Sequence, residues 1–235
     1  MLIDYNKQIK TLSSIRKGEF KEGLKLDIPE IDTYFRHKKT SFNIILGHAN
    51  TGKTSLTLYI MLLYSIRHNQ KWLIFSSENE PYELIQKLLE FLIEEPINKI
   101  IPSDFNNGLD FLKKHFQFID NGKLYNYKEL LEEAQRIRIA FKYDGFLIDP
   151  YNSLAKDKEM LKGLGVHEYD YEATTDIRLF CKKKILSAET YSTFLFFAPE
   201  SIACLSKKVV LPTPLAPTIP QIWLLSIISS NCDLQ

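Results

Sequence analysis

The sequence predicts an α/β domain, a mostly parallel sheet with helices on both faces. Two observations carry that reading. Short apolar runs alternate with longer stretches of helical spacing, and a glycine-containing loop joins the first run to the first stretch. With 235 residues the chain is long enough for one such domain, or for one domain with a short appendage.

The elements follow in order. Residues 41–46 (SFNIIL) are a short apolar run ending at Gly47 and read as a buried strand. Residues 54–67 (TSLTLYIMLLYSIR) have helical spacing and stop at His68 and Asn69. Residues 72–76 (WLIFS) are a second strand. Residues 81–95 form a helix with Pro81 at its start and Asn79 or Glu80 at its cap. Residues 116–119 are a third strand, 127–141 an amphipathic helix, and 145–148 (GFLI) a fourth strand closed by Asp149 and Pro150. Residues 168–184 mix charged and apolar residues in a last helix. Right-handed crossovers between parallel strands place the strand C-terminal ends, and any ligand, along one edge.

Composition narrows the classes. A net charge of +1 excludes nucleic-acid binding by bulk charge, so any such contact is local. Three scattered cysteines lack metal-ligand spacing and fit reduced thiols in a cytosolic protein. The N-terminal segment is charged throughout and reads as no signal peptide. The apolar stretches at 58–63 and 222–228 fall short of the roughly 20 residues that span a membrane, and no membrane partner is expected.

The loop Gly47-His48-Ala49-Asn50-Thr51-Gly52-Lys53-Thr54 fills every defined position of G-x-x-x-x-G-K-[ST]. Its glycines allow a tight turn in which successive N–H groups face phosphate oxygens. Lys53 supplies a cation to the β- and γ-phosphates, and the Thr54 hydroxyl is a ligand for Mg²⁺. The following helix, with Ser55 in its first turn, adds its positive N-terminal end. The pattern predicts ATP and Mg²⁺ as cofactors, and His48 occupies a variable position.

Two carboxylates complete the expected site. Asp149 ends an apolar strand that the reading places beside the phosphate-loop strand, where it holds the magnesium shell through water. Alternatively, it is an aspartate before proline in a turn. Glu78, in Phe75-Ser76-Ser77-Glu78, falls near the γ-phosphate as the base for an attacking water. Glu80 is its competitor, and both carboxylates also suit the cap of the Pro81 helix.

These pieces, in this order, resemble the ATPase domain of replicative hexameric DNA helicases of the DnaB type, within the RecA-like group, over about residues 20–184. Gly47 to Thr54 looks like Walker A, FSSE at 75–78 like the motif of the catalytic glutamate, and FLIDPYNSL at 146–154 like Walker B with its continuation. Residues 26–32 (LDIPEID) are similar to the family's lead-in and 167–183 to its next helix. The resemblance implies a RecA-like P-loop NTPase fold, ATP hydrolysis, single-stranded DNA as partner, a homo-hexamer, and the cytosol of a bacterium or phage-infected host. It also implies a DNA-contacting loop at 155–166 (AKDKEMLKGLGV), where Lys156, Lys158 and Lys162 meet phosphates and Gly163 and Gly165 keep the loop mobile. From composition alone a solvated surface loop is an equal reading.

Beyond residue 185 the character changes. Residues 186–235 carry five charges, no glycine and no arginine, and they hold five of the ten prolines. The reading therefore sets 1–185 as the ATPase domain, with 1–25 as a lead-in, and 186–235 as an apolar, proline-rich tail unlike the family. The family's next core strand, its polar γ-phosphate sensor and its arginine finger are not placed in that tail. The fold is expected to be incomplete at its C-terminal end, through a truncated or chimeric reading frame. Two alternatives to a helicase motor follow: a RecA-like ATPase that is not a helicase, or a nucleotide-binding module without turnover.

Overall fold

The computed structural model describes residues 3–19, 23–38, 40–48, 51–163 and 165–182, together with the strands Thr193–Phe197 and Ser226–Ser229. Five-residue apolar runs give β1 (Phe42–Leu46), β2 (Trp72–Ser76) and β4 (Gly145–Asp149), each buried along its whole length. A shorter run gives β3 (Phe116–Phe118), and the C-terminal segment supplies β5 (Thr193–Phe197) and β6 (Ser226–Ser229). The sheet order is β3-β2-β4-β5-β1-β6. Every neighbouring pair is parallel except β1 with β6, which is antiparallel.

Continuous apolar strands are what a sheet covered on both faces demands. Alternate residues go to opposite sides. Ile44, Leu46, Leu73, Phe75, Phe146 and Ile148 share one core with α6 (Tyr127–Ala140) and α8 (Val166–Lys182). Ile45, Trp72, Ile74 and Leu147 share the other with α3 (Lys53–His68), α4 (Pro81–Ile93) and α5 (Pro102–His115).

The expected strands and long helices are present with ends shifted by a residue or two. Asn126 and Glu129 form a reciprocal capping box at the start of α6, with bonds of 3.0 and 3.3 Å. Glu80, rather than Asn79, is the cap residue of α4. Outside those elements, α1 (Tyr5–Arg16) begins the chain and buries none of its residues. The lead-in segment is built around Asp32, whose carboxylate accepts from the Leu26 and Ile28 amides at 2.7 and 3.2 Å at the end of α2 (Pro29–Asp32). The Tyr64 hydroxyl accepts from the His37 amide at 2.8 Å and donates to the Leu24 carbonyl at 3.2 Å, tying that segment to α3.

Three findings differ from the sequence reading. The helix α5 was not anticipated. Two stretches of the expected tail are strands of the same sheet, so the sheet does not end at residue 185. TFLFF is a short aromatic run without glycine or charge, and such a run reads as a strand only once its neighbours are known. And β4 is not beside β1, because β5 lies between them, with Phe196 level with both Ile148 and Ile44.

The close approach of α4 and α5 rests on Gly108. A Cβ there would stand 2.8 Å from Leu89 Cδ2 and 3.2 Å from Ile93 Cδ1. Gly108→Leu is expected to force these side chains off their rotamers and to cost about 1–3 kcal/mol. Chemical denaturation of the two proteins checks this, and an unchanged midpoint would show that the α4–α5 seam is slack.

Candidate functional site

The C-terminal ends of β1, β2 and β4 share one sheet edge, and the loops leaving them build the site. Gly52, with φ of 81°, is left-handed and starts α3 directly after the phosphate loop. Of that loop, Gly47, His48 and Thr51 to Thr54 are described, while Ala49 and Asn50 lie outside the described residues. The His48 carbonyl accepts from Lys53 Nζ at 2.5 Å and from Thr51 Oγ1 at 2.8 Å. The lysine ammonium therefore rests against the loop's own backbone.

Thr54 in the first turn of α3 donates to Asp149 Oδ2 at 2.7 Å. These residues are 95 apart in sequence, and the contact spans the width of β5. Asp149 is 3% exposed. Burial lifts its carboxyl from 3.8 to about 6, and Glu78 nearby pushes the same way. The Thr54 hydrogen bond and the charges of Lys53 and Lys87 pull it down. Glu78 follows from register, because Ser76 stands opposite Asp149 and the strand exits at Ser77. Its side chain is exposed.

A hydroxyl and a buried carboxylate at hydrogen-bond distance are hard oxygen donors of the kind magnesium prefers. A cation there would return to Asp149 the charge that burial withdraws. The residues present fit a magnesium–nucleotide site, next to a helix N-terminus and a lysine.

The structure separates the remaining candidates. Glu80 begins α4, where its amide donates to Glu83 Oε2 at 3.2 Å. Among the three lysines, Lys158 and Lys162 are exposed on one face of the short helix α7 (Lys158–Gly163). Lys156 is held instead by Asp170, with Nζ 3.2 Å from Oδ1 and 3.3 Å from Oδ2. The anticipated mobile loop is an anchored turn and helix. Asp157 caps it by accepting from the Glu159 and Met160 amides at 2.9 and 3.3 Å, and Met160 and Leu161 pack on the core. Sequence reasoning passed over Lys87, whose charge reaches Asp149, and also Ser77, Ser153, Tyr151 and Asp170, which bind the site's loops to one another. Their side chains belong to common surface types, and no local pattern marks them.

Comparisons with known proteins bear on the fold. No protein-family model matches the sequence, and no curated protein matches it. Among solved structures, the ATPase domain of a DnaB-like helicase is similar, with a TM-score of 0.60 at 13% identity, over 84% of this chain and 72% of that one. At that identity the likeness concerns the fold, and the chain has the α/β fold of a RecA-like ATPase domain. Among the described residues, no helix is long and apolar enough to cross a membrane, and no group of three or more His, Cys, Asp or Glu is placed to hold a metal.

Proposed function

We propose that the chain is an ATP-binding and ATP-hydrolysing motor domain of a replicative DNA helicase. The observation that carries this is the 2.7 Å bond from Thr54 to Asp149, which joins the phosphate loop to a buried carboxylate at the end of β4. In this reading the loop amides of residues 47–55 cradle the phosphates, and Lys53 leaves the His48 carbonyl for the β- and γ-oxygens. Thr54 and Asp149 hold the metal, which when bound draws charge off those oxygens. Glu78 accepts the proton of the attacking water. Single-stranded DNA is the partner, met by Lys158 and Lys162 and by Lys156 once it leaves Asp170. A ring of identical subunits, a hexamer in this reading, works in the cytosol.

Glu78→Gln tests the reading. Turnover, read as phosphate release with and without an oligonucleotide, is expected to fall at least about a hundredfold, the scale of a lost general base. Affinity for a fluorescent ATP analogue is expected to stay within about threefold, since the glutamate is not a phosphate ligand. Undiminished turnover in the variant would remove Glu78 from the chemistry. The absence of arginine from residues 186–235 favours a second reading, a nucleotide-gated binding module. ATP binding by the natural protein without turnover would select it.

A further inference from the structure

Glu78 sits on an exposed turn, yet that turn is fastened to a helix at the far side of the site. The Ser77 amide donates to the Asp149 carbonyl at 3.1 Å. The hydroxyls of Ser77 and Ser153 hydrogen-bond to each other. Ser153 Oγ also donates to the Pro150 carbonyl at 2.7 Å, so its own proton is used and Ser77 is the donor to it. Ser153 closes the 3-10 turn Tyr151–Ser153. At the other end of that turn Tyr151, 4% exposed, donates its hydroxyl to Asp170 Oδ1 at 3.0 Å. Asp170 is in the second turn of α8, and its carboxylate also receives Lys156. The result is one hydrogen-bonded line from Lys156 and Asp170, through Tyr151 and Ser153, to Ser77 and the residue after it.

We propose that Asp170 is a positioning residue for Glu78, acting through the Tyr151–Ser153 turn. The proposal deepens the motor reading and, in its kinetic part, rests on it. The Asp170 carboxylate bonds to Tyr151 and Lys156, away from the phosphate loop and from Asp149. Its effect is to fix the turn against which Ser77 is held. An exposed carboxylate on a short turn has many orientations, and a base contributes only in the one that meets the water. The paired charge of Lys156 keeps Asp170 ionised and aimed at Tyr151.

The test uses the full chain with three substitutions, Asp170→Asn, Tyr151→Phe and Ser153→Ala. Hydrogen exchange is read at the Ser77 and Asn79 amides, which bond to the Asp149 carbonyl and to Ser76 Oγ. Each variant is expected to speed exchange there by roughly threefold or more while leaving the amides of α3 unchanged. Asp170→Asn with Ser153→Ala should exceed neither single change, because both cut the same line. Where the chain turns over ATP, Asp170→Asn is expected to lower kcat about five- to tenfold at constant KM, and Asp170→Glu to recover part of it. Exchange at residues 77–79 that is unaltered in Asp170→Asn and Tyr151→Phe, or effects that add, overturns the proposal. If the natural protein shows no turnover, the motor reading fails on its own and the exchange result alone decides this one. Tyr151→Phe removes a single hydroxyl, so it stays informative if Asp170→Asn fails to fold.

Discussion

Replacing Lys53 by alanine is expected to abolish detectable ATP turnover and leave the nucleotide-free fold as stable as before. The bond it removes in the free protein is the one from Nζ to the His48 carbonyl, at the surface of the loop. Such a surface bond is worth little, and stability should move by less than about 0.5 kcal/mol. Bound nucleotide is another matter. There the ammonium faces a polyphosphate at a site that binding closes to water, and losing one charge-assisted bond costs roughly 1.5–3 kcal/mol. That is about a 10- to 150-fold loss of affinity. The transition state gathers more charge on the same oxygens, so turnover should drop by a further factor of about a hundred. Lys53→Arg keeps the charge and is expected to recover binding better than turnover, because the guanidinium is longer and planar. Isothermal titration with the ATP analogue, beside thermal melts in its absence, measures both halves. Equal affinity in Lys53→Ala would take the lysine, and with it the phosphate loop, out of the site.

What the sequence makes legible has a physical pattern. The phosphate loop is local, with eight residues whose spacing alone states their chemistry, and β1, β2 and β4 are apolar runs whose neighbours on both faces are helices. The helix α5 hides because Asn106, Asn107 and Gly108 interrupt its apolar face at Phe105, Leu109 and Leu112. Those residues lower helix propensity, and packing of Gly108 against Leu89 and Ile93 overrides it. β5 and β6 are hidden differently. They lie in a stretch without turn glycines, and only pairing with β1 and β4 makes strands of them. The loop lysines show the same limit. Spacing cannot reveal that Asp170 lies within reach of Lys156, because their meeting depends on how α8 returns across the sheet. Likewise Ser77 and Ser153 are 76 residues apart and meet only because β2 and β4 are neighbours in register.

The site also predicts opposite effects of one change on stability and activity. Asp149→Asn is expected to raise the melting temperature of the protein in EDTA by about 5 °C and to remove magnesium-dependent turnover. Asp149 is a carboxylate buried at 3% exposure, with the Thr54 hydroxyl bonded to it and Glu78 repelling it. Its carboxyl is lifted to about 6 from an ordinary 3.8, mainly by burial. At neutral pH the folded protein therefore carries a charge it disfavours, by roughly 3 kcal/mol for a two-unit shift. The sign follows from proton binding. Between about 4 and 6 the folded state holds more protons at this position than the unfolded chain, so stability falls as pH rises through that window. Asparagine has the same shape, keeps an oxygen for Thr54 and never ionises. A gain of about 2 kcal/mol, discounted for relaxation around the site, gives the quoted shift for a chain of this size. The advantage of the variant should be large at about pH 7 and nearly gone at about pH 3, where the natural residue is protonated in both states. Added Mg²⁺ and nucleotide should reverse the order by stabilising the natural protein and not the variant. If Asp149→Asn melts lower at neutral pH without metal, the carboxylate is holding the fold together. If it melts higher, the fold tolerates a buried charge at the one place where a divalent cation and a polyphosphate would make use of it.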